Sequence, residues 1–267
     1  MRVVPSCSSS LSDPSGTVRR MPPRASSSLG GARRLARRVR GALAVVLVVA
    51  VVAACSWSSL PPGAPGPARD TAPRAGSALA LVDALAVRGR GPRTGYTREQ
   101  FGPAWADTDR NGCDTRNDIL ARDLVELTFR AGTRDCVVLS GRFREPYTGL
   151  EVRFSKAAAG EVQIDHVVAL SDAWQKGAAQ WSPDERRAYA NDPLVLLATD
   201  GRANQTKGDS DAATWLPPDT GYRCRYLARQ VAVKHRYSLA VTAAERDAMV
   251  RVLGTCPDEP VPRGGDP

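Results

Sequence analysis

Histidine is almost absent from this chain. Two occur in 267 residues, His166 and His235, so any chemistry that needs an imidazole must use one of them. No Cys-x-x-Cys pair occurs, which argues against a zinc knuckle. No internal repeat is visible, which excludes a stacked repeat array. The longest apolar run, ALAVVLVVAVVAA at residues 42–54, holds about a dozen residues, too few to span a bilayer comfortably. A broad basic field is missing too, although the formal charge of +9 and the pI near 9.6 invite a nucleic-acid reading. Nine of the 37 basic residues and one of the 28 acidic ones, Asp13, fall in residues 1–55, which leaves 28 against 27 and a net charge of +1 for the remainder. A phosphate-binding surface must therefore be a local cluster.

What is present divides the chain into four parts. Residues 1–54 read as a leader: arginine-rich GARRLARRVRG precedes the apolar run, and Met21 offers an alternative start. The run ends in VAAC, small residues followed by Cys55, which resembles a lipobox whose cysteine is lipidated. An ordinary secretory signal cut nearby, or an uncleaved anchor, is the alternative, and the lipoprotein reading is preferred. Residues 55–94 are rich in Pro, Gly and Ala and read as a tether, with a weakly helical patch, SALALVDALAV, inside it. Residues 95–257 form one domain's length of chain, and 258–267 a disordered tail. Expectation therefore places the protein outside the cell, secreted or lipid-anchored to the membrane.

Past Cys55 there are four cysteines, Cys113, Cys136, Cys224 and Cys256. An even count after an export signal implies disulfides, with three connectivities open. Nearest-neighbour pairing, Cys113–Cys136 and Cys224–Cys256, closes the shortest loops and is preferred.

Helix starts are marked by TREQ at Thr97, SPDE at Ser182 and TAAE at Thr242, each with the residue pattern of a capping box. TRNDILARDLVEL places Ile119, Leu120, Leu124 and Leu127 on one helical face, and CRYLARQVAVKHRY does the same through Leu227 and Val231. DCVVLSGRF and EVRF flank the turn-bearing REPYTGL and predict a hairpin. EVQIDHVV and PLVLLATD are further short strands, the latter ending at the turn signal Asp200-Gly201. Helices and short antiparallel strands interleave, so the class is α+β.

Four polar residues resist a purely structural account: Asp165, His166, Asn204 and Lys207. Each has an ordinary alternative. Asp165 and His166 could form a satisfied buried pair, Asn204 could cap a helix, and Lys207 before Gly208 could be a solvated turn residue. Together they supply an acid, a base, an amide and a cation around two short strands and a helix start. On a regular strand, Asp165 and His166 would point to opposite faces, so a shared site requires the strand to end or bulge there. His235, in a Lys-His-Arg stretch, reads as a surface residue.

QIDHVVALSDAW (163–174), NDPLVLLATDGRANQTKGDSDAATWLPP (191–218) and YRCRYLARQVAVK (222–234) together resemble the HNH, or His-Me finger, endonucleases. Among these they are most similar to secreted proteins related to the C-terminal domain of GmrSD-type restriction enzymes. The likeness covers roughly residues 95–256, and GYTREQFGPAWADTDRNGCDTRNDIL resembles the front of such proteins. The resemblance implies a ββα finger of two strands and a helix around one divalent metal, embedded in further helices and short strands. It casts His166 as general base, Asp165 and Asn204 as metal ligands, and Lys207 as a residue near the scissile phosphate. Val195 stands where related sequences carry an asparagine that braces the histidine loop. The implied ion is magnesium, with manganese the second choice, and the implied substrate is DNA, with RNA alongside it. No protein partner is inferred. The rival function is a non-catalytic surface protein that keeps the fold and binds nucleic acid or a partner.

A second motif is DTDRNGCDTRND, with Asp107, Asp109, Asn111 and Gly112 at the first, third, fifth and sixth positions of a calcium loop and Asp118 at the twelfth. A bidentate glutamate is missing there, so an aspartate-rich turn pinned by Cys113 is preferred over a Ca2+ site.

Overall fold

Element boundaries follow the local chemistry of the chain, and a computed structural model describes residues 73–264. The predicted leader, Cys55 and residues 56–72 of the predicted tether lie outside the described residues. Among the described residues there are seven α-helices and five strands: α1 (Ala78–Val82), α2 (Thr115–Asp123), β1 (Val125–Phe129), β2 (Val138–Arg144), β3 (Glu151–Ser155), β4 (Val162–His166), α3 (Leu170–Lys176), α4 (Pro183–Ala190), β5 (Leu196–Asp200), α5 (Gly201–Lys207), α6 (Arg223–Arg236) and α7 (Ala243–Leu253). Strands β1-β2-β3 form one antiparallel sheet, and β4 and β5 form a separate two-stranded ribbon. The class is α+β. No helix among the described residues is long and apolar enough to cross a membrane.

Two of the three capping boxes form as the sequence predicts. Ser182 Oγ accepts from Glu185 N while the Glu185 carboxylate accepts from Ser182 N, with Pro183 at the first helical position of α4. Thr242 and Glu245 do the same at the start of α7. Thr97 instead opens a single 3-10 turn, Arg98–Phe101, which buries Phe101. The helix predicted to carry Leu124 and Leu127 on one face ends at Asp123. Leu124 is still buried, but the next five residues pair with β2, and this pairing outweighs the helical period.

The folded region also exceeds its predicted bounds. Helix α1 lies in the stretch assigned to the tether, yet Ala78, Val82 and Leu85 are buried in the core shared with α6 and α7. Ala78 N donates to the carbonyl of Glu259, and Arg88 N to that of Val241. The two edges of the domain thus hold each other, and the stretch after Pro257 that was assigned to a tail is docked as far as Val261. Both predicted disulfides are present, Cys113–Cys136 with Cα atoms 5.0 Å apart and Cys224–Cys256 with 6.5 Å.

The β4–β5 ribbon is covered on both faces. Val162, Ile164, Leu196 and Ala198 pack against the three-stranded sheet and α2. Val195 and Leu197 pack into the larger helical core. Burial on both sides explains why PLVLL reads as a continuous apolar run rather than an alternating one.

Beneath the ribbon lies a network of buried charge. Lys176 Nζ is 2.8 Å from Asp172, 3.0 Å from Asp211 and 2.7 Å from Glu245, and Lys234 Nζ is 3.0 Å from Glu245. Arg90 adds contacts of 2.9 Å to Asp172 and 2.8 Å to Asp211. Burial by itself would lower the Lys176 pKa, but Asp172 and Glu245 more than offset it and raise it. The network joins α3, α6, α7 and the loop beyond α5, so it fixes the segments that leave both ends of the ribbon. Removing one partner of a buried pair strands the others. Lys176→Met should therefore cost about 3–5 kcal/mol, measured by urea unfolding. A loss below about 1 kcal/mol would show the network to be energetically idle.

Candidate active site

Strand β4 ends at the Asp165-His166 pair. His166 is the last residue in register, opposite Leu196, and the chain turns through Val167–Ala169 into α3. The strand thus terminates where a shared site requires it to. Asp165 lies toward α5, His166 lies on the other side toward Trp105 and Ala190, and both border one cavity of about 450 Å³. Asn204, Gln163, Arg98 and Ser171 complete much of its wall.

Helix α5 continues directly from β5, with no intervening turn at Asp200-Gly201. Asp200 caps it, its Oδ1 accepting from the amides of Arg202 and Ala203 at 2.9 Å each, so Asn204 is not the cap. Glycine is required at 201, because a Cβ there would come within 2.6 Å of the Gly160 carbonyl. Two turns of helix then bring Asn204 and Lys207 beneath β4. Asn204 Nδ2 donates to Gln163 Oε1 at 2.8 Å, and no hydrogen bond to Asn204 Oδ1 is formed among the described residues.

Lys207 does not lie where the resemblance implied. It is fully buried and donates to Asp165 Oδ1 and to the His166 carbonyl, 2.9 Å each. A residue so enclosed positions the pair above it and cannot touch a phosphate in the cavity. The second Asp165 oxygen accepts from Tyr147 Oη at 2.6 Å. Burial raises the Asp165 pKa, opposed by Lys207 and Tyr147. Tyr147 is itself pushed well above the ordinary tyrosine value, by burial first and by Asp165 next.

His166 is braced without an asparagine at 195. Its Nε2 lies 3.0 Å from the Ala190 carbonyl, and a carbonyl can only accept, so Nε2 carries the proton and Nδ1 is left as an acceptor. Val195 holds the loop by its backbone, its carbonyl accepting from Val167 N. Asn191 stands near but does not bond the ring, its Nδ2 donating to the Arg187 carbonyl. Burial, followed by the charge of Arg98, lowers the His166 pKa to about 3, so the ring is neutral. His235 is exposed at the end of α6, as its surroundings predicted.

The calcium-like loop folds on itself. Asp107 accepts from Gly112 N, Asp109 from the backbone and side chain of Asn111, and Asp118 from Asn111 Nδ2. Asp114, within the same stretch, caps α2, its side chain accepting from Asn117 N, so the aspartate-rich turn leads directly into the helix.

Tyr147, Gln163, Trp105 and Arg98 were not picked out by the sequence. Gln163 had a signal, since it stands two residues before Asp165 and shares its strand face. Tyr147 had none, because it lies in the turn between β2 and β3 and reaches Asp165 only through the packing of that sheet.

A ββα unit that sets an imidazole and a carboxylate at the end of one strand, beside an amide on the following helix, defines a class of candidate hydrolytic sites. The model of the GmrSD restriction endonuclease C-terminal domain matches residues 114–252, and the chain belongs to that family. It is also 38% identical over 211 residues to an uncharacterized secreted protein of Arthroderma benhamiae, covering 78% of this chain and 98% of the relative. No solved structure matches the chain.

The Asp165–Lys207 contact can be tested by a cycle. Lys207→Met should cost about 3–5 kcal/mol in urea unfolding, because it leaves a buried carboxylate short of its cation. Adding Asp165→Asn to it should recover part of that loss, and two independent, additive losses would contradict the pairing.

Proposed function

We propose that this protein is an exported HNH-type endonuclease that hydrolyses phosphodiester bonds in DNA, and in RNA as well. The observation that carries the reading is the convergence of His166, Asp165 and Asn204 on one cavity at the end of β4. Membership in a restriction endonuclease family supports it.

The chain's own groups suit the reaction. The Ala190 carbonyl holds His166 with Nδ1 unprotonated, the form needed to take a proton from an attacking water. Arg98 is exposed on the same cavity and is placed to bind the substrate phosphate. Tyr147 and Lys207 hold the Asp165 carboxylate in a single orientation from below.

The donor set fits a hard divalent ion. Each Asp165 oxygen makes one hydrogen bond and keeps a lone pair, and Asn204 Oδ1 is unengaged among the described residues. Asp165 and Asn204 would hold magnesium, or manganese, with substrate phosphate completing the shell, since magnesium commonly takes only one or two carboxylates from protein. When bound, the ion would neutralise charge developing on the phosphate and the leaving oxygen.

Plasmid DNA and RNA incubated with the purified protein should be cut with magnesium and spared with chelator. His166→Ala should lower the rate by roughly 10²–10⁴-fold with folding intact. Asn204→Ala should shift the magnesium response to higher concentration. It is a cleaner test than Asp165→Ala, which also strands the Lys207 ammonium. Wild-type cutting rates in His166→Ala would refute the assignment.

Export is supported by the leader pattern and by a relative described as secreted. We place the lipid anchor at Cys55. Cys55→Ala should release the protein from the detergent phase or block its processing, and equal detergent partitioning of both cleaved forms would indicate an ordinary secretory signal.

A further inference from the structure

A second cavity, of about 210 Å³, adjoins the other side of His166, with walls that include Arg98, Phe101, Trp105, Leu170 and Asn191. We infer that this cavity is a nucleobase subsite, so the substrate is engaged as a single strand or with one base unstacked. The inference deepens the nuclease reading and rests on it.

Three observations converge. Trp105 is half-buried, and its ring lies within 19° of parallel to the His166 imidazole, with centroids 6.3 Å apart. It is held at φ +58°, a conformation rarely adopted by a bulky side chain and one that concentrates at functional positions. Arg98 borders both cavities and makes no ion pair among the described residues.

The two cavities differ in kind, and His166 stands between them. One is lined by Asp165, Asn204, Ser171 and arginines, as a phosphate site requires. The other is lined chiefly by aromatic and aliphatic side chains, as a planar heterocycle requires. A nucleotide has these two halves joined through a sugar, and Arg98 stands at the junction. In a paired, stacked duplex the base is unavailable to Trp105, so the subsite selects an unpaired nucleotide. Aromatic stacking is tolerant of sequence because every base has a π-face, and the subsite therefore predicts strand preference with little base preference.

Binding can be separated from cleavage by working in chelator. A short fluorescein-labelled DNA strand, its duplex and the same strand with abasic residues serve as probes for the whole protein at fixed salt, read by anisotropy. The intact strand should bind better than the duplex. Trp105→Ala should weaken single-strand binding roughly tenfold or more, and Trp105→Phe should retain most of it. The abasic strand should bind wild type no better than the intact strand binds Trp105→Ala. Equal affinity of wild type for the intact and abasic strands would overturn the subsite, whether or not Trp105→Ala folds. Cleavage with no Trp105 or base dependence of binding would leave the nuclease standing and sink the subsite. Base-dependent binding by a protein that cuts nothing would do the reverse.

Discussion

The ammonium of Lys207 is shut away between the Asp165 carboxylate and the carbonyl of His166, and the geometry of the site depends on that placement. A buried charge is tolerated only when paired and hydrogen-bonded. Here one cation satisfies both a side chain and the backbone of adjacent residues at a strand terminus. Strand β4 cannot slide relative to α5 without breaking both bonds. Tyr147 closes the opposite side of the carboxylate. Through these contacts the helix, the strand end and the turn after β2 share one arrangement.

The surroundings make that arrangement rigid at longer range. The ribbon is pressed between two apolar clusters, so a one-residue slip of β4 would exchange Val162 and Ile164 for Gln163 and Asp165 on the inner face. The ionic network centred on Lys176 fastens α3, which follows His166, and Asp211, which follows α5, to the terminal helices. Helix α1 and the end of the domain complete this support from a stretch whose composition resembles linker.

Much of the fold was legible residue by residue. Ser182 and Thr242 announced their helices because a capping box is a local arrangement of four residues. The hairpin around REPYTGL and the strand QIDH were read from short-range pattern, and the disulfides from loop length alone. Errors arose where distant chain decided the outcome. Leu127 fell on a helical face in sequence but lies in a strand, since β2 was present to pair with it. SALALVDALAV read as weak helix in a tether because the faces of α6 and α7 that bury it lie far away in sequence.

For the site, the sequence by itself determined the inventory: one imidazole beside one carboxylate, an amide and a lysine spaced for one turn of a following helix, and four cysteines in two short loops. Residue type and spacing carry that information because they act through local backbone geometry. Tertiary structure alone decided the roles. It placed Lys207 under Asp165, out of the cavity wall, and held His166 through the Ala190 carbonyl with Val195 in the strand loop. It also brought Tyr147 to a carboxylate eighteen residues away and Trp105 to the far side of the histidine. Burial, desolvation and the direction of a hydrogen bond are properties of what surrounds a group, and those surroundings exist only once the chain has folded.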